Sequence, residues 1–161
     1  MTNLTIKINF DMDGTIADLY GVDNWLEMLI NEDTTPYSVA QPLVRLSALA
    51  KRLNHLQKQG YEIGIISWLS KSGTSEYNER VAQPRLEWLA KHMPSVEWDT
   101  IHIVPYGTPK NEFCDNEMCV LFDDEPQNRE NWGGRAYDVH EILQNLEDLK
   151  NSYWIDQMLM W

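Results

Sequence analysis

Cysteine is scarce in this sequence: Cys114 and Cys119 are the only two. They make no disulfide framework, and no second Cys or His pair stands near them to complete a zinc site, since His55, His92, His102 and His140 are scattered. A reducing, cytoplasmic setting is the expectation. Basic charge is also short, with 13 Lys and Arg against 25 Asp and Glu, a formal net charge of -12. That balance speaks against a nucleic-acid coat protein or a basic membrane-surface binder. Long apolar runs are missing too. The longest, Ile63 to Ile66 and Cys119 to Phe122, fall far below the roughly 20 residues of a membrane-spanning helix. The opening residues Met1 to Lys7 lack the basic region and apolar stretch of a signal peptide. No repeat, low-complexity stretch or long linker divides the chain, so residues 1–161 are expected to form a single domain.

What is present suffices for a core. With 43% of 161 residues hydrophobic, roughly two-thirds of the unfolded surface should be buried on folding. Short β-rich segments alternate with helix-period segments. Residues 6–10, 62–66, 101–104 and 119–122 read as strands, and 135–139 as a weaker fifth. Leu46, Leu49, Leu53 and Leu56 mark one helix face, with Gly60 as its stop. Ala82, Leu86, Leu89 and Met93 suggest a second helix, started or kinked by Pro84, and Val139, Ile142, Leu143, Leu146 and Leu149 a third. This alternation predicts an α/β fold, a Rossmann-like parallel sheet flanked by helices. The polar residues Lys7 and Asn9 sit oddly in what should be an apolar central strand.

In such sheets ligands bind beyond the carboxyl ends of the strands. The segments there carry Asp11, Met12, Asp13, Gly14 and Thr15, then Ser67 and Trp68, then Lys110, then Asp123 and Asp124. Carboxylates gathered at strand ends repel unless a cation intervenes, and oxygen-only donors favour Mg²⁺ over zinc. An EF-hand is excluded by register, because Thr15 and Ile16 occupy the places where that loop needs Asp or Asn and then Gly. A bare Asp-x-Asp can also be a turn or a helix cap.

The string Ile8-Asn-Phe-Asp11-Met-Asp13-Gly14-Thr15-Ile16, followed by Ser67, Lys110 and Asp123-Asp124 in that order, resembles the four motifs of the haloacid dehalogenase-like (HAD) hydrolases. The resemblance spans residues 6 to about 139 and implies an Mg²⁺-dependent phosphatase. Asp11 would be the nucleophile and Asp13 the general acid and base. Asp11, the backbone carbonyl of Asp13, Asp123 and Asp124 would hold Mg²⁺. Ser67 and the backbone N–H groups of the Met12–Gly14 turn would bind phosphoryl oxygens, and Lys110 would neutralise charge. Local alternatives stay open at this level: Ser67 as a helix cap, Lys71 in place of Lys110, Asp124 beside the metal rather than on it, and Asn128 as a turn former or an anchor of the fourth-motif loop.

Residues 18–41 leave room for one short helix and a loop before a helix starting near Pro42, so the implied HAD-like domain carries a minimal helical flap instead of a full cap. Trp25 and Tyr20 on that flap, with Trp68, could stack on a nucleobase or simply pack. The resemblance narrows to small 5′(3′)-deoxyribonucleotidase-like members, and a nucleoside monophosphate is the expected substrate. The partner is then a small phosphorylated molecule, with neither extended nucleic acid nor membrane, and the protein a monomer or homodimer. The alternatives are a phosphatase of a protein or polynucleotide end and a non-catalytic interaction protein on the same scaffold. The apolar tail 150–161 is expected to pack back on the domain.

Overall fold

Five short strands form the sheet, and their residues explain the order. In the computed structural model, which describes the backbone of residues 5–159 and side chains as far as 152, β1 (Lys7–Phe10) is central. β4 (Glu62–Trp68) and β5 (Thr100–Val104) lie on one side of it, β6 (Val120–Phe122) and β7 (Arg135–Tyr137) on the other. All four pairings are parallel. Every carboxyl end therefore points the same way, the condition for a shared site. The weak fifth strand is real but stops at Tyr137, where Asp138 caps the following turn with its side chain and Glu141 completes a capping box.

Asn9 fits the central strand because its neighbour has no side chain. It pairs in register with Gly64, where an added Cβ would lie 2.8 Å from Asn9 Oδ1. Lys7 sits at the strand's amino end, where Asp115 takes its ammonium at 2.9 Å. Lys7 is thus met by a counter-charge, whereas Asn9 is given room but its buried Nδ2 has no hydrogen-bond partner.

Ile8, Phe10, Ile63, Ile65, Val120 and Phe122 alternate onto one face of the sheet. Three helices cover that face: α3 (Leu46–Lys58), α4 (Ser75–His92) and α5 (Ile142–Leu159). Of the expected stripe on α3, Leu49, Leu53 and Leu56 are wholly buried and Leu46 partly so, each fully buried side chain contributing about 1.5–3 kcal/mol. Gly60, at φ +99°, follows its end as expected. The opposite face is covered more thinly, by Trp132 and by Phe113 on the 3-10 turn Lys110–Phe113, packed on Ile66 and Leu121. The apolar tail lies outside the described side chains from residue 153 onward.

Two expectations need correction. Helix α4 begins at Ser75, seven residues before the expected Ala82, capped by Thr74 Oγ1 accepting from Tyr77 N at 3.2 Å, and Pro84 lies inside it. Its buried stripe is Tyr77, Val81, Arg85, Trp88 and Leu89, while Leu86 is exposed. An arginine within that stripe breaks the hydrophobic period on which the expected face rested. The second correction concerns the flap. It holds two short helices, α1 (Trp25–Ile30) and α2 (Thr35–Val39), and rises from a small antiparallel pair, β2 (Ala17–Asp18) with β3 (Gln41–Pro42). The helix expected near Pro42 starts only at Leu46, because Pro42 is used in that pairing. Among the described residues no helix is long and apolar enough to cross a membrane.

Candidate active site

The first site segment follows directly from β1. Asp11 extends the strand by donating its N–H to Phe122 O at 2.9 Å. The chain then turns so tightly that the carbonyl of Met12 accepts from the N–H groups of Thr15, Ile16 and Ala17. Gly14 makes the turn possible at φ +79°, a region that costs other residues strain. It also lies so close to Asp124 that a Cβ there would sit 2.5 Å from Oδ2. Met12 itself points into the core. The N–H of Gly14 donates to Ala17 O at 2.8 Å, so it is spent within the turn and does not serve a phosphoryl oxygen.

Asp11, Asp123 and Asp124 converge, with one carboxylate oxygen from each lying within 4.8 Å of the others. Lys110, on the 3-10 turn after β5, reaches this cluster from the side. Its Nζ donates to Asp11 Oδ1 at 2.9 Å and to Asp123 Oδ2 at 2.7 Å, and it is only 3% exposed. Lys71, the other candidate, stands outside over the Tyr106 ring. Asp123 is further held by the Glu125 N–H at 2.9 Å and by Asn128 Nδ2 at 3.1 Å. Of the two readings of Asn128, the contact favours the anchor: its side chain holds Asp123 directly. The Thr15 hydroxyl stands 3.1 Å from Asp11 Oδ2 and 3.3 Å from Asp124 Oδ1. Having one proton, it serves one of them at a time.

Three carboxylates against one buried ammonium leave an excess of negative charge. The result is visible in their protonation: burial, then the Asp11 charge, pushes Asp123 up to about 6 and Asp124 up to about 8 from an ordinary 3.8. The donor set is all oxygen and compact enough for a hard divalent ion such as Mg²⁺, which it fits.

Asp13 faces another way. Its side chain is not in the carboxylate cluster but pairs with Arg85, whose Nη2 donates to Asp13 Oδ2. Burial raises the Asp13 pKa to about 6 and outweighs the opposing Arg85 charge. Arg85 is itself held by the Trp68 carbonyl at 2.8 Å and stacks on Tyr37 of the flap at 4.6 Å. No motif flagged it, since a lone arginine in a helical stripe has no signature of its own.

Ser67 lies within β4 rather than after it, buried, with no hydrogen-bond partner for its hydroxyl. It caps no helix, because α4 is capped by Thr74. An unpaired buried hydroxyl costs free energy unless a ligand meets it. Trp68 donates its indole N–H to Thr108 O at 2.9 Å.

Asp11, Asp13, Ser67, Arg85, Lys110, Asp123 and Asp124 all line one cleft of about 590 Å³, whereas Met12, Gly14 and Thr15 do not. Tyr20, Trp25, Leu26, Leu29 and Ile30 of the flap form its roof, and Trp68, Lys71 and Tyr106 its far wall. Tyr20 and Trp25 meet edge to face at 4.9 Å. The cleft is thus acidic at its floor and aromatic at its rim.

No protein-family model matches the chain, and no curated protein matches it. Solved structures do. A protein classed as a HAD-like phosphatase from Mesorhizobium loti superposes with a TM-score of 0.57 at 13% identity, over 92% of this chain and 87% of that one. D,D-heptose 1,7-bisphosphate phosphatase from B. bronchiseptica, complexed with magnesium and phosphate, gives 0.52 at 13% identity, over 89% and 99%. The corresponding phosphatase from Burkholderia thailandensis gives 0.50 at 11%, over 90% and 98%. At such identities it is the architecture that is shared, and this chain has the HAD-like fold.

Proposed function

We propose that this protein is a phosphomonoester hydrolase working through a phosphorylated Asp11. The observation that carries the reading is the convergence of Asp11, Lys110, Asp123 and Asp124 on one floor, with Asp13 beside it in the same cleft. The likeness in fold to HAD-like phosphatases supports it. Asp11 attacks phosphorus, an aspartyl O–P bond forms and the ester P–O bond breaks, while Asp13 gives a proton to the departing oxygen. Water then cleaves the acyl phosphate, Asp13 takes its proton, and inorganic phosphate leaves. Lys110 neutralises the nucleophile and the transferring group, and Ser67 offers its free hydroxyl to a phosphoryl oxygen. Mg²⁺ bound by Asp11, Asp123, Asp124 and the Asp13 carbonyl would offset the repulsion between anionic nucleophile and anionic substrate.

A small substrate suits a roofed cleft of this volume, and the rings of Tyr20, Trp25, Trp68 and Tyr106 favour a nucleoside monophosphate. A reducing cytoplasm is consistent with two free cysteines. The second reading, a phosphatase of polynucleotide ends, has one observation in its favour. A groove elsewhere is lined by Lys51, Arg52, His55, Lys58 and Lys150. Glu147 lies in that groove and pairs with both Arg52 and Lys150, which weakens its field.

The test is phosphate release from nucleotides, sugar phosphates, phosphopeptides and phosphorylated oligonucleotides, with Mg²⁺ or with chelator. Mg²⁺-dependent turnover, lost in Asp11→Asn with the fold intact, is the expected result. No turnover on any substrate together with no Mg²⁺ binding by calorimetry would overturn the reading. Preference for oligonucleotide ends over monomers would promote the second.

A further inference from the structure

A general acid must present its proton to the leaving oxygen in a fixed orientation, and a carboxyl group free to rotate about its own side-chain bonds needs a partner to set it. Asp13 lies on the tight turn after β1, three residues past Phe10. Only one of its oxygens has a side-chain partner among the described residues, Oδ2 on Arg85. The guanidinium is 2% exposed and is fixed from three directions: by the Asp13 carboxylate, by the carbonyl of Trp68 at the end of β4, and by the Tyr37 ring from the flap. Its Nε has no partner. Burying an incompletely satisfied guanidinium is expensive, and an apolar residue in this helical stripe would pack without that cost. The charge is therefore placed where the sheet, the flap and Asp13 meet.

Helix α4 also carries the flap. Tyr77 donates its hydroxyl to Asp33 O at 3.0 Å, and Trp88 donates its indole N–H to Ala40 O at 2.8 Å. One rigid helix thus secures both the roof over the substrate and the side chain that aims Asp13.

We infer that Arg85 is a positioning residue for the proposed phosphatase: it clamps Asp13 Oδ2 so that Oδ1 is directed at the leaving-group oxygen, and its contact with Tyr37 ties that aim to the seated flap. The inference rests on the function proposed above. In the step it governs, the proton passes from Asp13 to the ester oxygen as the P–O bond breaks, and Arg85 neither gains nor loses one.

The experiment compares kcat/KM, which reports events up to phosphoryl transfer to Asp11, on two probes. An alkyl phosphate needs its leaving oxygen protonated, whereas p-nitrophenyl phosphate expels a stable anion and needs far less help. Arg85→Gln is expected to lower kcat/KM on the alkyl ester about 100-fold and on the aryl ester less than about 10-fold, the general-acid share of the rate being 10²–10⁴. Arg85→Lys, which keeps the charge and loses the fork, is expected to restore part of that selectivity. Each ratio is taken on a single preparation, so a partly unfolded fraction cancels. In an Asp13→Asn background, Arg85→Gln should leave the aryl-to-alkyl ratio where Asp13→Asn alone puts it. Equal losses on both probes, a raised KM with kcat retained, or a further change in the ratio in the Asp13→Asn background would overturn the positioning role while leaving the phosphatase standing. No turnover of either probe by the unaltered protein would instead remove the phosphatase reading itself.

Discussion

Lys110 Nζ lies 2.9 Å from Asp11 Oδ1, although the two residues are 99 positions apart in sequence. Neither is more than 7% exposed, so the pair is formed in a medium where unpaired charge is costly. The same ammonium reaches Asp123 and joins the ends of three strand segments, those after β1, β5 and β6, into one floor.

Lys110→Met should therefore act on stability as well as on chemistry. Two carboxylates would lose their buried counter-charge, a change that costs about 3–5 kcal/mol when one partner of a buried pair is removed. Turnover should fall by about 100-fold or more with the loss of an electrostatic group at the phosphoryl site. Urea unfolding in chelator, repeated with Mg²⁺, checks the first part; Mg²⁺ should recover some of the lost stability. Unfolding curves that coincide with those of the unaltered protein would contradict it.

The pH dependence has a definite sign. Asp13 and Asp123 are raised to about 6 and Asp124 to about 8 from 3.8, so the folded protein binds more protons than the unfolded chain between those values. Stability of the metal-free protein must then fall as pH rises through that window. Mg²⁺ competes with the protons on Asp123 and Asp124, so its stabilising effect should grow across the window. Thermal melting at several pH values, with chelator and with Mg²⁺, measures both slopes. A gap between the two melting curves that stays constant with pH would contradict the assigned ligands.

Gly14→Ala tests the closeness of the turn to Asp124. The new methyl group would meet Asp124 Oδ2 at 2.5 Å and Tyr20 Cε2 at 2.8 Å, at a φ of +79°. A destabilisation of about 1–3 kcal/mol is expected from the backbone conformation alone. Weaker Mg²⁺ binding by calorimetry should accompany it, since Asp124 has to move. Unchanged metal affinity would show that Asp124 is not a ligand.

Trp25→Ala addresses the substrate. If the flap rings stack on a base, KM for a nucleoside monophosphate should rise by about 3- to 10-fold, the equivalent of one aromatic contact. KM for a simple alkyl phosphate should barely respond. Equal rises for both would assign Trp25 to supporting the flap instead.

The five strands of the main sheet, helix α3 and the positions of the polar residues at the strand ends were legible from the chain, because each depends on local pattern; the β2–β3 pair and the second flap helix were not. Alternating apolar residues mark a strand, a Leu stripe marks α3, and Asp-x-Asp-Gly-Thr places two carboxylates on one turn. Helix α4 was misplaced for the same reason in reverse. Its buried face includes Arg85, and a local pattern cannot distinguish a paired buried charge from an exposed one.

What the sequence determined by itself was the set of chemical groups and their order at the ends of parallel strands. Tertiary structure alone decided their partners: Lys110 between Asp11 and Asp123, Asn128 on Asp123, Arg85 on Asp13, and Gly14 spent within its own turn. These are contacts between residues from 5 to 99 positions apart, or between a backbone donor and the nearest free acceptor. They are fixed by which side chains the packed sheet and helices bring within hydrogen-bond distance and remove from water. An excess of negative charge read from composition became, in the folded chain, a buried cluster that Lys110 neutralises in part, because packing brought three carboxylates and one ammonium together out of water.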